Sequence, residues 1–404
     1  MKQLEGLSNE VIIERGKKVV MNTYGRLPMT LVKGEGAWVW DSEGTRYLDF
    51  LTGLAVNSLG HNHPAIVHAI QDQAKEMIHA SNLYWIPNQV ALAERLVEHS
   101  FADKVFFCNS GAEANESAFK LARKYAKKNY GAHKYEVVAL ENSFHGRTLA
   151  TLTLTGQTKY QEGYEPLPVG CSYAKLNDLE SLKAKVNQNT AAVFIEPIQG
   201  EGGVLPASKE FLQGARALCD QLGALLIFDE VQCGMGRTGK LFAYEWSGVV
   251  PDIMTLAKGL AGGVPIGAML ATDEVAKAFQ PGDHASTFGG NPLATAAGCA
   301  VLEVMLEAGF MEGVQERSSY FKKGLEALAS KYQTGDPVRG QGFILGWPVP
   351  KLGSEIVEAC RIKGLLINCV GGKALRFLPP IIVEKEAIDK ALGILDEVFT
   401  ELWK

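Results

Sequence analysis

The chain has 404 residues, of which 47% are hydrophobic, so it is long enough to bury a large core and to divide into a large and a small domain. Forty basic against forty-five acidic side chains leave a formal net charge of -5, which argues against nucleic acid or a membrane surface as partner. Seven cysteines without a CxxC spacing indicate neither a disulfide framework nor a zinc site. Since the first twenty residues lack the apolar core of a signal peptide, we expect a cytoplasmic protein.

The predicted elements begin with an amphipathic helix within the first twenty residues and a β-hairpin around DSEG in residues 36–50. His61-Asn62-His63 predicts a polar turn before Pro64 and no metal site, because no cysteine or carboxylate stands at ligand spacing. Beyond residue 100, short β-branched runs alternate with helical segments, which predicts a mostly parallel sheet covered by helices on both faces. The seven predicted strands are VFF at 105, EVVAL at 136, TLTLT at 151, AAVFI at 191, ALLIF at 224, IMTLA at 253 and IGAML at 266.

From about residue 292 the pattern changes to two long helices, then glycine-broken strands and a closing helix, which predicts a separate small α/β domain. The run IMTLAKGLAGGVPIGAMLA predicts two buried strands around a turn and not a membrane helix, because it contains a lysine, four glycines and a proline. We divide the chain into an N-terminal segment that packs with the small domain, a large cofactor-binding domain and the small domain, at residues 1–52, 53–292 and 293–404.

Two stretches carry candidate chemistry at predicted strand ends, where ligands of such sheets bind. In LLIFDEVQCGMGRTG a buried strand runs into Asp229, whose charge is costly unless a cation pairs with it. Lys258, at the end of IMTLA, is one candidate, and a structural ion pair of the two is one interpretation. In VFFCNSGAEANESAFKLARK, Ser110 is a natural helix N-cap and Glu113 completes a capping box. The small residues there leave backbone N–H groups open, which favours an anion site.

A strand-end acid, a strand-end lysine and a phosphate site together fit pyridoxal 5'-phosphate. This cofactor needs a lysine that bonds its aldehyde, a carboxylate against its ring nitrogen and an anchor for its phosphate. The predicted contacts at the strand end are Asp229, Glu230, Val231 and Gln232. Strand alternation places Val231 on the side of Asp229, against the ring, and directs the Glu230 side chain the other way. Gln232 reaches the ring hydroxyl as the strand ends.

Seven blocks, in order, resemble the class III (ornithine-type) aminotransferases of fold type I, and the resemblance runs over nearly the whole chain. They are NSGAEANE (109–116), NSFHGRT (142–148), EPIQGEGG (196–203), FDEVQCGMGRTG (228–239), LAKGLAGGVPIGA (256–268), STFGGNPLA (286–294) and LRFLPP (375–380). The resemblance implies a large domain with a mostly parallel seven-stranded sheet, a smaller α/β domain, and a homodimer with shared active sites. It also implies pyridoxal 5'-phosphate as cofactor.

The resemblance further implies the roles of the cofactor-binding residues. Lys258 bonds the cofactor and, once released by the substrate amine, moves the proton between substrate carbon and cofactor. Asp229 pairs with the ring nitrogen, and Phe144 stacks on the ring face opposite Val231. The phosphate is bound at Ser110, Gly111 and Ala112, and Thr287 reaches the phosphate of the neighbouring subunit.

For substrates, the resemblance assigns Arg376 to the α-carboxylate of 2-oxoglutarate and Arg147, with Ser286 nearby, to the α-carboxylate of the amino donor. Glu201 pairs with Arg376 when a substrate without a carboxylate there is bound. Leu54 stands where ornithine-specific members have a tyrosine that helps hold a free α-amino group, so an apolar leucine favours an N-acylated donor. The implied reaction moves the δ-amino group of N2-acetyl-L-ornithine to 2-oxoglutarate, giving N-acetylglutamate 5-semialdehyde and L-glutamate, in arginine biosynthesis.

Several alternatives stay open on sequence alone. Succinylornithine, acetyl-lysine, ornithine and 4-aminobutyrate are other donors, and one methylene contributes only about 1–3 kcal/mol of discrimination. Glutamate-semialdehyde aminomutase is another class III activity. Gly234, Gly236 and Gly239 satisfy GxGxxG, which favours a nicotinamide-dependent dehydrogenase. However, DEVQC separates the strand from the glycines, and KLFAYEWSG is too short for a crossover helix. A non-catalytic binding module requires Lys258 to be inert.

Overall fold

The computed structural model describes residues 6–403, and its N-terminal part consists of a helix and a small antiparallel sheet. Its elements are α1 (Asn9–Val19), β1 (Leu31–Glu35), β2 (Trp38–Asp41) and β3 (Arg46–Asp49). The predicted hairpin around DSEG is confirmed, since β2 and β3 pair antiparallel and Asp41 accepts the backbone N–H groups of Glu43 and Thr45 in the turn. Residues 1–5 of the predicted amphipathic helix lie outside the described residues.

The central part of the chain alternates strands and helices as predicted. Its elements are α2 (Thr52–Ala55), α3 (Pro64–Glu76), α4 (Pro87–Glu98), β4 (Lys104–Cys108), α5 (Gly111–Tyr130), β5 (Glu136–Leu140), α6 (Leu149–Leu154), β6 (Cys171–Ala174), α7 (Leu179–Lys183), β7 (Thr190–Ile195), β8 (Ile198–Gln199), β9 (Leu205–Pro206), α8 (Lys209–Leu222), β10 (Leu225–Asp229), α9 (Tyr244–Ser247), β11 (Ile253–Leu256), β12 (Gly267–Ala271) and α10 (Asp273–Ala276).

Seven of these strands form one sheet in the order β4-β12-β11-β10-β7-β5-β6. Only β12 runs antiparallel to its neighbours, whereas the other neighbouring pairs are parallel. Alternate residues of β10 explain the helices on both faces: Leu225 and Ile227 pack in the cluster that contains residues of α5, and Leu226 and Phe228 pack in the cluster that contains residues of α8. The predicted mostly parallel seven-stranded sheet is confirmed.

One predicted strand is wrong. TLTLT at 151 lies in the helix α6 and its C-terminal end, and the seventh strand is β6, CSYA. The threonine hydroxyls explain this, because a β-branched threonine is compatible with a helix when its Oγ1 donates to a preceding carbonyl. Thr153 Oγ1 donates to the Leu149 carbonyl at 2.7 Å, and Thr155 Oγ1 donates to the Thr151 carbonyl at 3.0 Å.

The apolar run 253–271 forms β11 and β12, which pair antiparallel around a turn as predicted. Within the described part of the chain no single helix is long and apolar enough to cross a membrane, and one helix pair reaches that length only across a 76° bend. The glycine fingerprint at 234–239 lies in turns and is followed only by the four-residue helix α9. A dinucleotide site needs a long helix that begins at the last glycine, so this geometry does not support the dehydrogenase interpretation.

The C-terminal part contains the two predicted long helices, a second antiparallel sheet and the closing helix. Its elements are α11 (Pro292–Met305), α12 (Phe310–Tyr332), β13 (Arg339–Gln341), β14 (Ile344–Pro348), α13 (Gly353–Ile362), β15 (Leu365–Leu366), β16 (Asn368–Val370), β17 (Ala374–Phe377) and α14 (Lys385–Leu402). Helix α13 was not predicted. Strand β15 joins the N-terminal sheet, where Leu365 pairs in parallel with Leu48 of β3. The N-terminal segment therefore packs against the C-terminal part of the chain.

Candidate active site

A cavity of about 450 Å³ lies at the carboxyl ends of β4, β10 and β11. The sheet order places β12 between β4 and β11, so the three strand ends lie along one edge of the sheet. The cavity contains nine of the predicted site residues: Ser110, Gly111, Ala112, Phe144, Arg147, Asp229, Val231, Gln232 and Lys258. Its position matches the rule that ligands of open α/β sheets bind at the carboxyl ends of the strands.

One end of the cavity is the N-terminus of α5. Ser110 is the N-cap, and its Oγ accepts the backbone N–H of Glu113 at 3.2 Å. The Glu113 carboxylate accepts the backbone N–H of Asn109 at 2.8 Å. In a standard capping box this return bond comes from the N–H of the N-cap residue itself, so the predicted box is present with its return bond shifted by one residue. The first N–H groups of α5, at Gly111 and Ala112, have no partner within the helix and face an anion with the positive end of the helix dipole.

Gly111 is required by the packing of this end of the cavity. A Cβ atom on Gly111 would lie 2.6 Å from Cγ1 of Val231, which is closer than any van der Waals contact. The backbone of α5 therefore approaches Val231 directly. A bound phosphate at the helix and a ring against Val231 are within reach of one ligand, and these residues fit pyridoxal phosphate.

Asp229 lies in the wall of the cavity within a network of hydrogen bonds. Its Oδ1 accepts the backbone N–H of Val231 at 2.9 Å, and its Oδ2 accepts Nδ2 of Asn115 at 2.7 Å. Nδ1 of His145 lies 2.7 Å from the same Oδ2. Asn115 is fixed in turn, because its Oδ1 accepts the hydroxyl of Thr255 at 2.7 Å. These contacts fix the orientation of the Asp229 carboxyl group in the cavity wall.

A second buried carboxyl group, Glu196, lines the same wall. Burial raises the pKa of Glu196 well above its ordinary value, and the charge of Asp229 raises it further, whereas hydrogen bonds from backbone N–H groups oppose the shift. One of these bonds joins the Phe144 N–H to Oε2 of Glu196 at 3.0 Å. Glu196 therefore positions the backbone of Phe144.

Lys258 follows β11 and faces the cavity with a φ of 47°. Burial lowers the pKa of its ammonium; Arg376 lowers it too, while the carboxylates Glu201, Asp229 and Glu196 act in the opposite direction. The net lowered pKa increases the fraction of neutral amine. A neutral amine is the form that attacks a carbonyl carbon and accepts a proton.

The prediction that Glu230 contacts the cofactor is wrong. The side chain is buried on the other face of the strand end, where its carboxylate accepts the backbone N–H groups of Ala243 and Tyr244 at 2.5 and 2.7 Å. The alternation of side chains along an extended backbone causes this, since Asp229 and Val231 both face the cavity.

Arg376 and Glu201 form an ion pair beside the cavity. Nη1 of Arg376 donates to Oε1 of Glu201 at 2.5 Å and to Oε1 of Gln232 at 3.3 Å, and Nε donates to Oδ1 of Asn368 at 3.2 Å. The Arg376 side chain is 1% exposed and that of Glu201 is 25% exposed. Burial, the largest single cause, raises the pKa of Glu201. The charge and hydrogen bond of Arg376, the charge of Lys258 and a hydrogen bond with Gln232 together outweigh burial, so the net pKa lies below its ordinary value. Gln232 lines the cavity and connects this pair to it.

The remaining predicted residues lie at the rim or beyond it. Ser286 is joined to the cavity by Asn109, whose Nδ2 donates to the serine Oγ at 3.1 Å. Thr287 is exposed on the same loop. Leu54 is 43% exposed and stands in a run from Thr52 to Ala55 in which all four residues have positive φ. Such a run is costly for residues other than glycine, and strain of this kind concentrates at functional sites.

Five residues of the site with polar or aromatic side chains were not singled out from the sequence: Asn109, Asn115, His145, Tyr160 and Glu196. Four of them stand inside the blocks NSGAEANE, NSFHGRT and EPIQGEGG, so their blocks marked the region without giving their roles. Asn115 has a direct signal, since it follows Gly111 by one helical turn and so shares its face of α5. Tyr160 has none, because only the fold brings it to Arg147.

The chain belongs to the class III aminotransferases, since the family model described as aminotransferase class-III matches residues 19–399. It is 56% identical to the acetylornithine aminotransferase of Caldanaerobacter subterraneus subsp. tengcongensis over 96% of this chain and 98% of that protein. It is 52% identical to the acetylornithine aminotransferase of Methanocaldococcus jannaschii over 98% of this chain and 100% of that protein. The predicted resemblance is confirmed.

Two solved structures confirm the fold. The ornithine aminotransferase from Toxoplasma gondii ME49 superposes with a TM-score of 0.95 at 31% identity, over 99% of this chain and 97% of that one. The N-acetylornithine aminotransferase from Stenotrophomonas maltophilia K279a superposes with a TM-score of 0.83 at 37% identity, over 96% of this chain and 98% of that one. The protein is a pyridoxal phosphate-dependent aminotransferase of fold type I.

Proposed function

We propose that the protein transfers the δ-amino group of N2-acetyl-L-ornithine to 2-oxoglutarate, giving N-acetylglutamate 5-semialdehyde and L-glutamate. The observation that carries the proposal is the placement of Lys258, Asp229 and the N-terminus of α5 around one cavity of about 450 Å³. The donor is supported by the relatives that are 52% and 56% identical over nearly their whole length, both of which are acetylornithine aminotransferases.

When bound, pyridoxal phosphate supplies an electron-withdrawing ring that stabilises negative charge on the substrate carbon. The remaining roles would belong to protein groups. Lys258 would bond the cofactor's aldehyde carbon, and its free Nζ would move the proton of the substrate carbon that carries the amino group. Asp229, held by His145 and Asn115, would pair with the ring nitrogen. The N–H groups of Gly111 and Ala112 would hold the phosphate.

Two substrates share the cavity in turn, and two arginines distinguish them. Arg147 lines the cavity and binds the α-carboxylate of the amino donor, with Ser286 nearby. Arg376 binds the α-carboxylate of 2-oxoglutarate, for which Glu201 must leave. When the donor is bound, no carboxylate reaches Arg376, and the ion pair with Glu201 at 2.5 Å satisfies its charge.

The N-acylated donor is supported by Leu54. A leucine provides neither acceptor nor donor for a charged α-amino group, whereas an acylated nitrogen is neutral and tolerates an apolar neighbour. The ornithine aminotransferase from Toxoplasma gondii has the higher TM-score, but a TM-score measures the path of the backbone. Donor choice depends on side chains, for which sequence identity is the more relevant measure.

We also propose that the protein is a cytoplasmic homodimer in arginine biosynthesis, and that each site is completed by Thr287 of the neighbouring subunit. A homodimer is supported by a large exposed apolar surface near the loop of Thr287. Leu83, Trp85 and Phe288 are 86%, 90% and 59% exposed, and Asn82 joins their segments by donating to the Gly289 carbonyl at 2.9 Å. Apolar surface of this kind is typical of a protein interface.

The proposal is tested by mixing the purified, cofactor-loaded protein with single amines and following the loss of its visible absorbance. We expect the largest kcat/KM for N2-acetylornithine, with lower values for succinylornithine, acetyl-lysine, ornithine and 4-aminobutyrate. A Lys258→Ala variant serves as the control without turnover. Equal or faster reaction with ornithine or 4-aminobutyrate would overturn the proposed donor.

A further inference from the structure

The guanidinium of Arg147 is held by aromatic rings and by no acid. It lies 3.9 Å from the centroid of the Tyr160 ring and 5.5 Å from that of Phe144. The two rings meet edge to face, with centroids 6.2 Å apart and an angle of 87° between their planes. Within residues 6–403 no carboxylate forms a salt bridge with Arg147. The second cation near the Tyr160 ring is Lys159, at 4.7 Å.

Tyr160 itself is fixed to the segment that carries Arg147. It ends a 3-10 turn, Thr158–Tyr160, and glutamines flank this turn on both sides. Gln157 Nε2 donates to the Ser143 carbonyl at 3.0 Å. Gln161 Nε2 donates to the Thr155 carbonyl at 2.9 Å. The ring therefore occupies a defined position relative to the loop before α6 that carries Arg147.

The kind of contact decides what Arg147 can still bind. A guanidinium is planar, and its five N–H donors lie in that plane. An ion pair occupies the donors, as in Arg376 with Glu201, whereas an aromatic ring contacts the flat face and leaves the donors free. An arginine that is already immobilised also loses less rotamer entropy when a carboxylate binds. Arg147 is therefore both available and oriented, and Arg376 is not available until Glu201 leaves.

We propose that Tyr160 is a positioning residue that acts through Arg147 and so determines the preference for donors with a carboxylate at that end. This inference rests on the proposed function, which assigns the donor α-carboxylate to Arg147. The aromatic ring carries the effect, and the hydroxyl of Tyr160 does not. Tyr160→Phe therefore keeps the ring that contacts Arg147, and Tyr160→Leu removes it.

Three compounds separate carboxylate recognition from the other steps. N2-acetylornithine is the donor, N-acetyl-1,4-diaminobutane is the same molecule without its carboxylate, and N-acetyl-L-norvaline is the same molecule without its reacting amine. Steady-state kinetics with 2-oxoglutarate as the acceptor give kcat and KM for the first two. Calorimetry gives Kd for the third, which reports binding without turnover. The thermal midpoint and visible spectrum of each variant check folding and cofactor loading.

For Tyr160→Leu we expect KM for N2-acetylornithine and Kd for N-acetyl-L-norvaline to rise about three- to fivefold, the range of a cation–π contact at an exposed site. We expect kcat, and the reaction of N-acetyl-1,4-diaminobutane, to stay within about twofold, and Tyr160→Phe to match the parent within the same range. In an Arg147→Leu background the Tyr160→Leu change should have no further effect on N-acetyl-L-norvaline binding, because Tyr160 acts through the arginine.

Two outcomes overturn the inference in distinguishable ways. If Tyr160→Leu leaves Kd for N-acetyl-L-norvaline and the preference for N2-acetylornithine unchanged, while Arg147→Leu abolishes that preference, Tyr160 has no positioning role and the proposed function stands. If Arg147→Leu also leaves the preference unchanged, the carboxylate is bound elsewhere. The assignment of Arg147 in the proposed function then fails together with the role of Tyr160.

Discussion

Nδ1 of His145 lies 2.7 Å from Oδ2 of Asp229, and both side chains are buried. Nε2 of the same imidazole is buried with no partner among residues 6–403 and lies near the ring of Phe194, 5.0 Å between centroids. A proton on Nε2 would be buried without an acceptor, so the imidazole carries its proton on Nδ1 and donates it to Asp229. His145 therefore orients the Asp229 carboxyl group through this hydrogen bond.

Replacement of His145 should slow the chemical step without weakening substrate binding. Hydrogen bonds to charged groups contribute about 1.5–3 kcal/mol, so we expect kcat of His145→Leu to fall about 10- to 100-fold with little change in KM. His145→Asn keeps an N–H donor near the position of Nδ1 and should lose less. Steady-state kinetics with both substrates measures this. If His145→Leu retains kcat within about twofold, the imidazole does not support Asp229.

Gly111→Ala should weaken cofactor binding through its contact with Val231. The added Cβ would lie 2.6 Å from Cγ1 of Val231, and overpacking of this kind costs about 1–3 kcal/mol. We expect Kd for pyridoxal phosphate to rise about 10- to 100-fold. Val231→Ala removes the clashing atom, so Gly111→Ala should have a smaller effect in a Val231→Ala background. Equal effects of Gly111→Ala in both backgrounds, measured by fluorescence titration, would show that the clash is not the cause.

Glu201→Ala should change the two half-reactions in opposite ways. Without Glu201, Arg376 remains buried and unpaired when the amino donor is bound, because its ion pair at 2.5 Å is lost. We expect kcat/KM for the amino donor to fall at least about tenfold, while KM for 2-oxoglutarate stays equal or falls. Each half-reaction is followed separately in single turnovers. Unchanged constants in both would remove the gating role.

The sheet was predictable because strands buried on both faces are continuous apolar runs. AAVFI and ALLIF have no polar position that a helix would expose. The strand predicted at TLTLT was wrong because its threonine hydroxyls donate to carbonyl groups of the helix backbone, a contact that β propensity does not describe. Helix α13 was missed, since its pattern lies between two glycine-broken strands.

The site was predictable where a residue lies at the end of a strand, as Asp229 does, or within two residues of it, as Lys258 does. Contacts between distant segments were not. His145 and Asn115 are 84 and 114 positions from Asp229, and no local pattern indicates which of many polar residues will meet it. The orientation of Glu230 follows from strand alternation alone, which turns its side chain away from the cofactor contacts.

Glu230 should make stability depend on pH. Burial raises its pKa to about 8, and hydrogen bonds from the N–H groups of Ala243 and Tyr244 oppose this shift. A raised pKa in the folded state means that the stabilising contribution is complete below the ordinary pKa of a glutamate and is lost as the pH rises toward about 8. Glu230→Gln does not titrate. The parent should therefore lose up to about 1.4 kcal/mol per pH unit relative to Glu230→Gln across this window. Urea unfolding at several pH values measures the free energy of unfolding of both proteins. If the parent keeps or gains stability relative to Glu230→Gln as the pH rises, the assignment is contradicted.

The covalent attachment of pyridoxal phosphate at Lys258 is tested most directly by borohydride reduction of the yellow protein, followed by digestion and mass spectrometry. We expect one pyridoxyl group, on the peptide that contains Lys258, and none after the same treatment of Lys258→Ala. A reduced protein with an unmodified Lys258, or with the pyridoxyl group on another lysine, would show that this amine does not hold the cofactor.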